Sequence, residues 1–275
     1  MKYMGSKNRI AKHILPFITK YLTKNRWYVE PFAGGMNMMD KVNHPKRLAS
    51  DSNNYLIAMW RFLLGGYEFP QELTKDRYII WRSIFNKMGF EGYGDTFDEA
   101  MIGWYGFMGS FNGRFFDGGY SGHDVKGRNY ISEQINNTLK QIESLKGVEL
   151  YCANYSSFEI PSNSVIYCDP PYANTKQYST SKSFNQKEFW QWCRYKTKQG
   201  NDVLISEYTA PQDFVPVWEM EVTNSMNQTN THKPIEKLFV HESIADKYIE
   251  KTLFDLLWHV SDSTEEVLLT AKLRR

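Results

Sequence analysis

Val165-Ile166-Tyr167-Cys168-Asp169-Pro170-Pro171-Tyr172 decides how this chain is read. Four apolar or aromatic residues in a row suit a buried strand, and the acid and two prolines that follow end it abruptly. Proline fixes φ and removes a backbone donor, so the chain leaves the sheet along a rigid path. One fixed turn thereby carries a carboxylate, carbonyl oxygens without competing amide donors, and an aromatic ring. An amino group on a planar base needs that set: two acceptors for its hydrogens and a ring against its face. Taken alone, the same residues also suit a structural turn with a solvent-facing tyrosine.

Upstream, Trp27-Tyr28-Val29-Glu30 is a second short strand, followed by Pro31-Phe32-Ala33-Gly34-Gly35 and an expected short helix. Glycines just after a strand let the backbone approach a ligand closely. Their spacing matches neither the dinucleotide nor the phosphate-loop pattern, and alone they also read as a plain β-turn. Arg47-Leu48-Ala49-Ser50 is a third strand ending at Asp51, where an acid commonly accepts ribose hydroxyls. Glycines and acid together suggest an adenosyl ligand. Residues 53–64 read as a helix closed by Gly65-Gly66.

Downstream, Val148-Glu149-Leu150-Tyr151-Cys152, residues 202–206 and Lys237-Leu238-Phe239-Val240 suit further strands, with a helix around residues 186–198. Strands alternating with helices predict an α/β fold with a mostly parallel sheet, whose ligands bind beyond the carboxyl ends of the strands. The middle differs. Helices are expected around 73–88 and 97–108, then a glycine- and aromatic-rich loop over 109–122. A loop of that length in a compact protein is usually functional. Ile131, Ile135, Leu139, Ile142 and Leu145 fall on one face of an amphipathic helix.

Composition bounds the rest. The 275 residues are 41% hydrophobic and 23% charged, ordinary for a folded protein, and the net charge of +2 does not by itself argue for nucleic acid. Residues 1–29, however, hold seven Lys or Arg and no acid, and residues 170–200 hold six against the single Glu188. Such stretches suit either a polyanion-facing surface or solvated helix faces. Aromatics reach 16%, as core or as stacking platforms for bases. The three cysteines lack CxxC spacing and the six histidines lack ligand spacing, so neither a disulfide framework nor a metal site is expected. No cysteine follows a proline, as the nucleophile of a cytosine-C5 enzyme usually does. With no apolar run long enough to span a membrane, a soluble, cytoplasmic protein is expected.

Several ordered blocks make the chain resemble the Dam-type, D12-class adenine-N6 DNA methyltransferases. They are Tyr3-Met4-Gly5-Ser6-Lys7, the Glu30–Gly35 turn, Asp51-Ser52-Asn53, Asn112-Gly113-Arg114, Asn154-Tyr155 and Asp169-Pro170-Pro171-Tyr172. The last is highly specific in that order and setting; each other block alone is weak. The resemblance covers roughly residues 1–242. It implies a Rossmann-like, S-adenosylmethionine-dependent methyltransferase core over 1–55 and 149–242, with a target-recognition insertion over 56–148. Residues 243–275 lie beyond it, with an amphipathic helix pattern through Ile244, Tyr248, Ile249, Leu253, Leu256 and Leu257 and a strand-like Val267-Leu268-Leu269.

The resemblance implies that Tyr3, Lys7, Asp51 and Asp169 bind the cofactor. It sets Glu30, Pro31, Phe32, Ala33, Gly34 and Gly35 around the cofactor's methionine part, and Asn154 and Tyr155 near its adenine. S-adenosylhomocysteine would be the product and no metal would be needed. Asp169 and the Pro170 carbonyl would accept the two N–H groups of an extruded adenine, with Tyr172 stacked on the base. Asn112, Arg114, Lys126 and Arg128 are candidate contacts to double-stranded DNA. Phe115 and Phe116 suit a base wedge and the core equally. A bacterial or phage setting, and a cognate restriction enzyme as partner, fit such a protein. Two alternatives stand beside this reading: cytosine-N4 methylation, which usually has Ser where Asp169 stands, and a DNA-binding module with an inactive methyltransferase fold.

Overall fold

A computed structural model describes residues 1–90, 92–122, 126–172, 184–222 and 234–249. Its strands are β1 (Tyr28–Glu30), β2 (Arg47–Asp51), β3 (Glu149–Cys152), β4 (Val165–Cys168), β5 (Asp202–Glu207), β6 (Phe214–Glu221) and β7 (Ile235–His241). They pair in the order β3-β2-β1-β4-β5-β7-β6. Pairing is parallel from β3 through β5, with Val29 opposite both Leu48 and Ile166, while β7 runs antiparallel to both β5 and β6. The expected Rossmann-like, mostly parallel core is therefore the architecture observed.

Side-chain alternation builds the two faces of this sheet. Tyr28, Ala49, Val165, Tyr167, Leu204, Leu238 and Val240 join one buried cluster, while Val29, Leu48, Ile166, Cys168, Val203, Ile205 and Phe239 join the other. A sheet covered on both faces needs near-continuous apolar strands, and that is why these short runs are legible as strands. Helix α7 (Gln186–Lys198) closes the second face through Phe189, Trp190 and Cys193. The first face carries α1 (Ala11–Lys20), α2 (Asn54–Leu64), α3 (Lys75–Met88), α4 (Phe97–Met108), α5 (Tyr130–Leu139), α6 (Ile142–Leu145) and α8 (Glu242–Tyr248) in a larger cluster. Helices of the proposed insertion thus share a core with the sheet. Helices α2 and α4 cross closely enough that a Cβ on Gly103 would sit 2.1 Å from the Tyr55 carbonyl oxygen.

Four details depart from the sequence reading. The short helix expected after Gly35 is only a 3-10 turn, Met39–Lys41. The single amphipathic helix expected through Leu145 breaks at Lys140-Gln141 into α5 and α6. Helix α1 and strand β6 are additional elements. Strand β6 lies at the sheet edge, the one place that tolerates its Pro216, and its register with β7 shifts between Pro216 and Trp218. Most of the carboxy-terminal tail, including Val267-Leu268-Leu269, lies outside the described residues, as do Lys176, Lys182, His123, His232 and His259. Among the described residues no helix is long and apolar enough to cross a membrane.

Strand order reverses between β1 and β4. An open crevice forms at such a switch point because the connections leave in opposite directions. The residues leaving β1 are Pro31-Phe32-Ala33-Gly34-Gly35, and those leaving β4 are Asp169-Pro170-Pro171-Tyr172.

Candidate active site

The turn after β1 folds back onto the end of β2. Ala33 donates its N–H to the Ser50 carbonyl at 2.8 Å, and Gly34 donates to Asp51 Oδ2 at 2.9 Å. Asp51 Oδ1 accepts the Asn53 N–H at 2.9 Å, just where Asn53 caps α2. Burial pushes the Asp51 carboxyl up, and the N–H groups of Asn53, Gly34 and Ser52 pull it part of the way back. A carboxylate has about four lone-pair positions, so capacity for a ribose hydroxyl remains after these contacts.

Two glycines in the turn are required by what lies over them. Gly34 has φ +47°, and a Cβ there would meet Tyr3 Cε1 at 2.8 Å; on Gly35 it would meet Tyr3 Cβ at 2.7 Å and Asn37 Nδ2 at 2.6 Å. Tyr3 thus lies across the turn, with its ring 5.8 Å from that of Phe107. Glu30, at the end of β1, is buried and accepts the Tyr28 hydroxyl at 2.6 Å. Its carboxyl is pushed up to about 8 by burial, which outweighs the Tyr28 hydrogen bond. Pro31 is buried and Phe32 half-buried, the latter stacking on Tyr155 at 5.2 Å.

The turn after β4 meets the amino-terminal segment. Lys7 opens a 3-10 turn whose preceding Ser6 side chain accepts the Asn8 N–H, and its own side chain runs inward until only 8% is exposed. Its ammonium lies 2.9 Å from Asp169 Oδ1 and 3.7 Å from Glu236 Oε1, and donates to the Gly5 carbonyl at 3.3 Å. It also sits 4.4 Å from the centroid of the Tyr172 ring. Burial works against the Lys7 charge, but Asp169 and Glu236 outweigh it and hold its pKa above the usual lysine value. Asp169 is raised by burial, with Lys7 opposing. The Tyr172 hydroxyl donates to Glu236, and the Tyr172 and Tyr208 rings meet edge to face at 4.8 Å. Gln186 at the start of α7 donates to the Pro171 carbonyl at 2.8 Å. Among the described residues no donor is hydrogen-bonded to the Pro170 carbonyl.

Sequence-identified residues therefore converge as one site: Tyr3, Lys7, the Glu30–Gly35 turn, Asp51 and Asp169–Tyr172 all lie at the carboxyl ends of β1, β2 and β4. Asn154 and Tyr155 follow β3 on the same edge, where Ala153 donates to the Asp51 carbonyl at 3.1 Å. Asn154 Oδ1 accepts the Ser156 N–H and hydroxyl at 3.1 and 3.0 Å, shaping its own turn. Tyr155 is packed among Phe32, Phe184, Phe189 and Trp192 as part of the second core cluster.

The candidate DNA contacts form a separate group. Loop 109–122 is docked on the amino terminus: a Cβ on Gly113 would sit 2.3 Å from the Lys2 carbonyl oxygen. Asn112, Lys126 and Arg128 are exposed, and Arg128 forms a two-pronged pair with Glu133 and stacks on Tyr130. Arg114 is only half-buried, yet its Nε is buried without a hydrogen-bond partner among the described residues. Phe115 and Phe116 belong to the core, within an aromatic cluster containing Tyr55, Phe85 and Phe107. Of the basic amino-terminal stretch, Lys7 and Arg26 are buried; Arg26 pairs with Asp202 at 2.7 Å.

Sequence reasoning missed Glu236. For Glu236 a signal existed: it shares strand parity with Leu238 and Val240, which face the first core cluster.

A family model described as D12 class N6 adenine-specific DNA methyltransferase matches residues 3–248. The Type II methyltransferase M.FokI of Planomicrobium okeanokoites is 26% identical over 222 residues, covering 74% of this chain and 33% of that protein. A DNA adenine methylase of Vibrio cholerae is 26% identical over 195 residues, 63% of this chain and 64% of the relative. The retron Ec67 DNA adenine methylase of Escherichia coli is 22% identical over 222 residues, 75% of each chain. The chain thus spans a third of the first of these relatives and just under two thirds of the second.

Proposed function

This chain belongs to the D12 class N6 adenine-specific DNA methyltransferase family, and from that premise we propose that it methylates the N6 amino group of adenine at specific sites in double-stranded DNA. The observation that carries the reading is the turn after β4: a half-buried acid paired with Lys7, next to a carbonyl that proline leaves without a competing donor, at the strand-order reversal. S-adenosylmethionine supplies a methyl group on a positively charged sulfur and leaves as S-adenosylhomocysteine.

The residues present fit that cofactor. Asp51 keeps capacity for a ribose hydroxyl, the glycine turn gives close backbone approach, and Lys7 offers a buried cation to a carboxylate. Tyr3 lies over the turn, and Asn154 and Tyr155 lie at the neighbouring strand end. Adenine's amino nitrogen is a poor nucleophile because its lone pair is delocalised into the ring. Asp169 and the Pro170 carbonyl accept its two N–H bonds and orient the nitrogen, and Tyr172 stacks on the base. The protein's part is orientation and preorganised charge, with proton loss following transfer. The base must leave the duplex first, at about a few kcal/mol. Asn112, Arg114, Lys126 and Arg128 in the insertion contact the DNA. A cognate restriction enzyme as partner is in keeping with the Type II name of a relative, and DNA as the substrate calls for a setting inside the cell.

The test is incubation of unmethylated DNA with methyl-labelled cofactor, followed by nucleoside analysis. N6-methyladenine is expected, and Asp169→Ala should abolish it while keeping fold and DNA affinity. N4-methylcytosine without N6-methyladenine overturns the reading. So does a wild-type chain that binds both ligands yet never turns over.

A further inference from the structure

Glu236 has no task in the proposed reaction, yet it is 3% exposed and stands within the same group of charges as Asp169. It sits on β7, where it is in register with Met220 of β6, and the next residue, Lys237, is in register with Glu207 of β5. A buried carboxylate is retained only where partners compensate its desolvation. Here the partners are the Tyr172 hydroxyl and the Lys7 ammonium.

We propose that Glu236 is a positioning residue that anchors the Tyr172 ring through its hydroxyl and shares Lys7 with Asp169. The Tyr172 ring meets Tyr208 edge to face and lies under the Lys7 ammonium, and the hydrogen bond from its hydroxyl to Glu236 fixes its far end as well. The second contribution is electrostatic. Lys7 lies 2.9 Å from Asp169 and 3.7 Å from Glu236, so the second acid draws part of the ammonium's attraction away from the first. Without Glu236, Lys7 would pair with Asp169 alone, and an incoming amino group would compete with a tighter ion pair. Burial raises the Glu236 carboxyl while Lys7 and the Tyr172 hydroxyl oppose that, in keeping with an acid that these two groups compensate.

The kinetic consequence rests on the methyl-transfer reading, so the test has an arm that does not. Full-length chain carrying ring-13C tyrosine gives a Tyr172 signal, assigned by its loss in Tyr172→Phe. In Glu236→Ala that signal should move and show faster ring flipping, while Glu236→Gln, which keeps an acceptor, leaves it near the wild-type position. Glu236→Leu, which fills the volume, serves the same purpose if the alanine variant fails to fold. An unchanged Tyr172 signal in the variants without an acceptor overturns the proposal whatever the catalysis. In methylation assays, Glu236→Ala should lower kcat by about 10- to 100-fold, with S-adenosylhomocysteine affinity within about threefold of wild type. In a Tyr172→Phe background the same change should cost less than it does in wild type, because the shared hydrogen bond is already gone and only the contribution through Lys7 remains. A full multiplicative loss there also overturns the proposal. If wild-type protein yields no methylated adenine, the functional reading falls, and the tyrosine signal still decides the role of Glu236.

Discussion

Lys7 Nζ and Asp169 Oδ1 lie 2.9 Å apart, so the acid assigned to the base's amino group is already paired with a cation before any base arrives. The same ammonium sits over the face of Tyr172. A base stacked on that face and bonded to that acid displaces Lys7 from both. If Lys7 turns to the carboxylate of the bound cofactor, cofactor binding clears the place that adenine then takes.

Lys7 also favours the ionised form of Asp169. Burial raises that carboxyl and Lys7 opposes the rise, so removing the ammonium raises it further. Transfer needs the ionised acceptor. For Lys7→Met the acidic limb of the pH profile of kcat/KM for the cofactor, which reports the free enzyme, should therefore move to higher pH. An acidic limb at the wild-type pH would show that the pair does not set the acid's ionisation.

Glu30 bears on stability rather than on rate. Its carboxyl is raised from 4.5 to about 8 in the folded chain, mainly by burial. The folded protein keeps a proton that the unfolded chain releases above pH 4.5, so this residue's contribution to stability falls as pH rises from 4.5 to about 8 and levels off beyond. Glu30→Gln keeps an acceptor for Tyr28 and removes the titration. Urea unfolding across pH 5 to 9 should show the variant gaining on wild type by a few kcal/mol, at about 1.4 kcal/mol for each pH unit crossed below 8. Parallel pH dependences would refute this.

At Gly35 an added methyl has nowhere to go. It would meet Tyr3 at its Cβ, which cannot swing aside as a ring tip can, and also Asn37. Gly35→Ala should cost about 1–3 kcal/mol in denaturant unfolding and weaken S-adenosylhomocysteine binding measured by calorimetry. Unchanged stability would mean that Tyr3 is not fixed over the turn.

Arg128 is exposed, and Glu133 holds its guanidinium at 2.8 Å through Nη2. Surface pairs of this kind add little to stability, so the pair is cheap to open towards phosphate. Arg128→Ala should weaken DNA binding and reduce the slope of log affinity against log salt by about one. Glu133→Ala should strengthen binding. If neither changes the slope, this face of the insertion does not touch the backbone of DNA.

The sequence by itself determined six of the seven described strands, most of the longer helices and the two turns that flank the crevice. Those features come from interactions within a few residues: apolar runs for a sheet buried on both sides, Asn53 capping α2, prolines stopping β4 and glycines after β1. The family blocks marked most of the residues that converge at the carboxyl ends of the strands. Only the tertiary structure decided which buried charges meet. Lys7 reads as one of seven cations in a basic stretch, and Glu236 as a polar residue just before the strand expected from Lys237 to Val240. They become partners because β7 lies between β5 and β6 and because the amino terminus folds over the crevice. It also assigned Phe115, Phe116 and Tyr155 to cores and placed β6 at an edge. Periodicity tells a side chain which face to take, whereas its partner depends on strand order, which is set by contacts far apart in the chain.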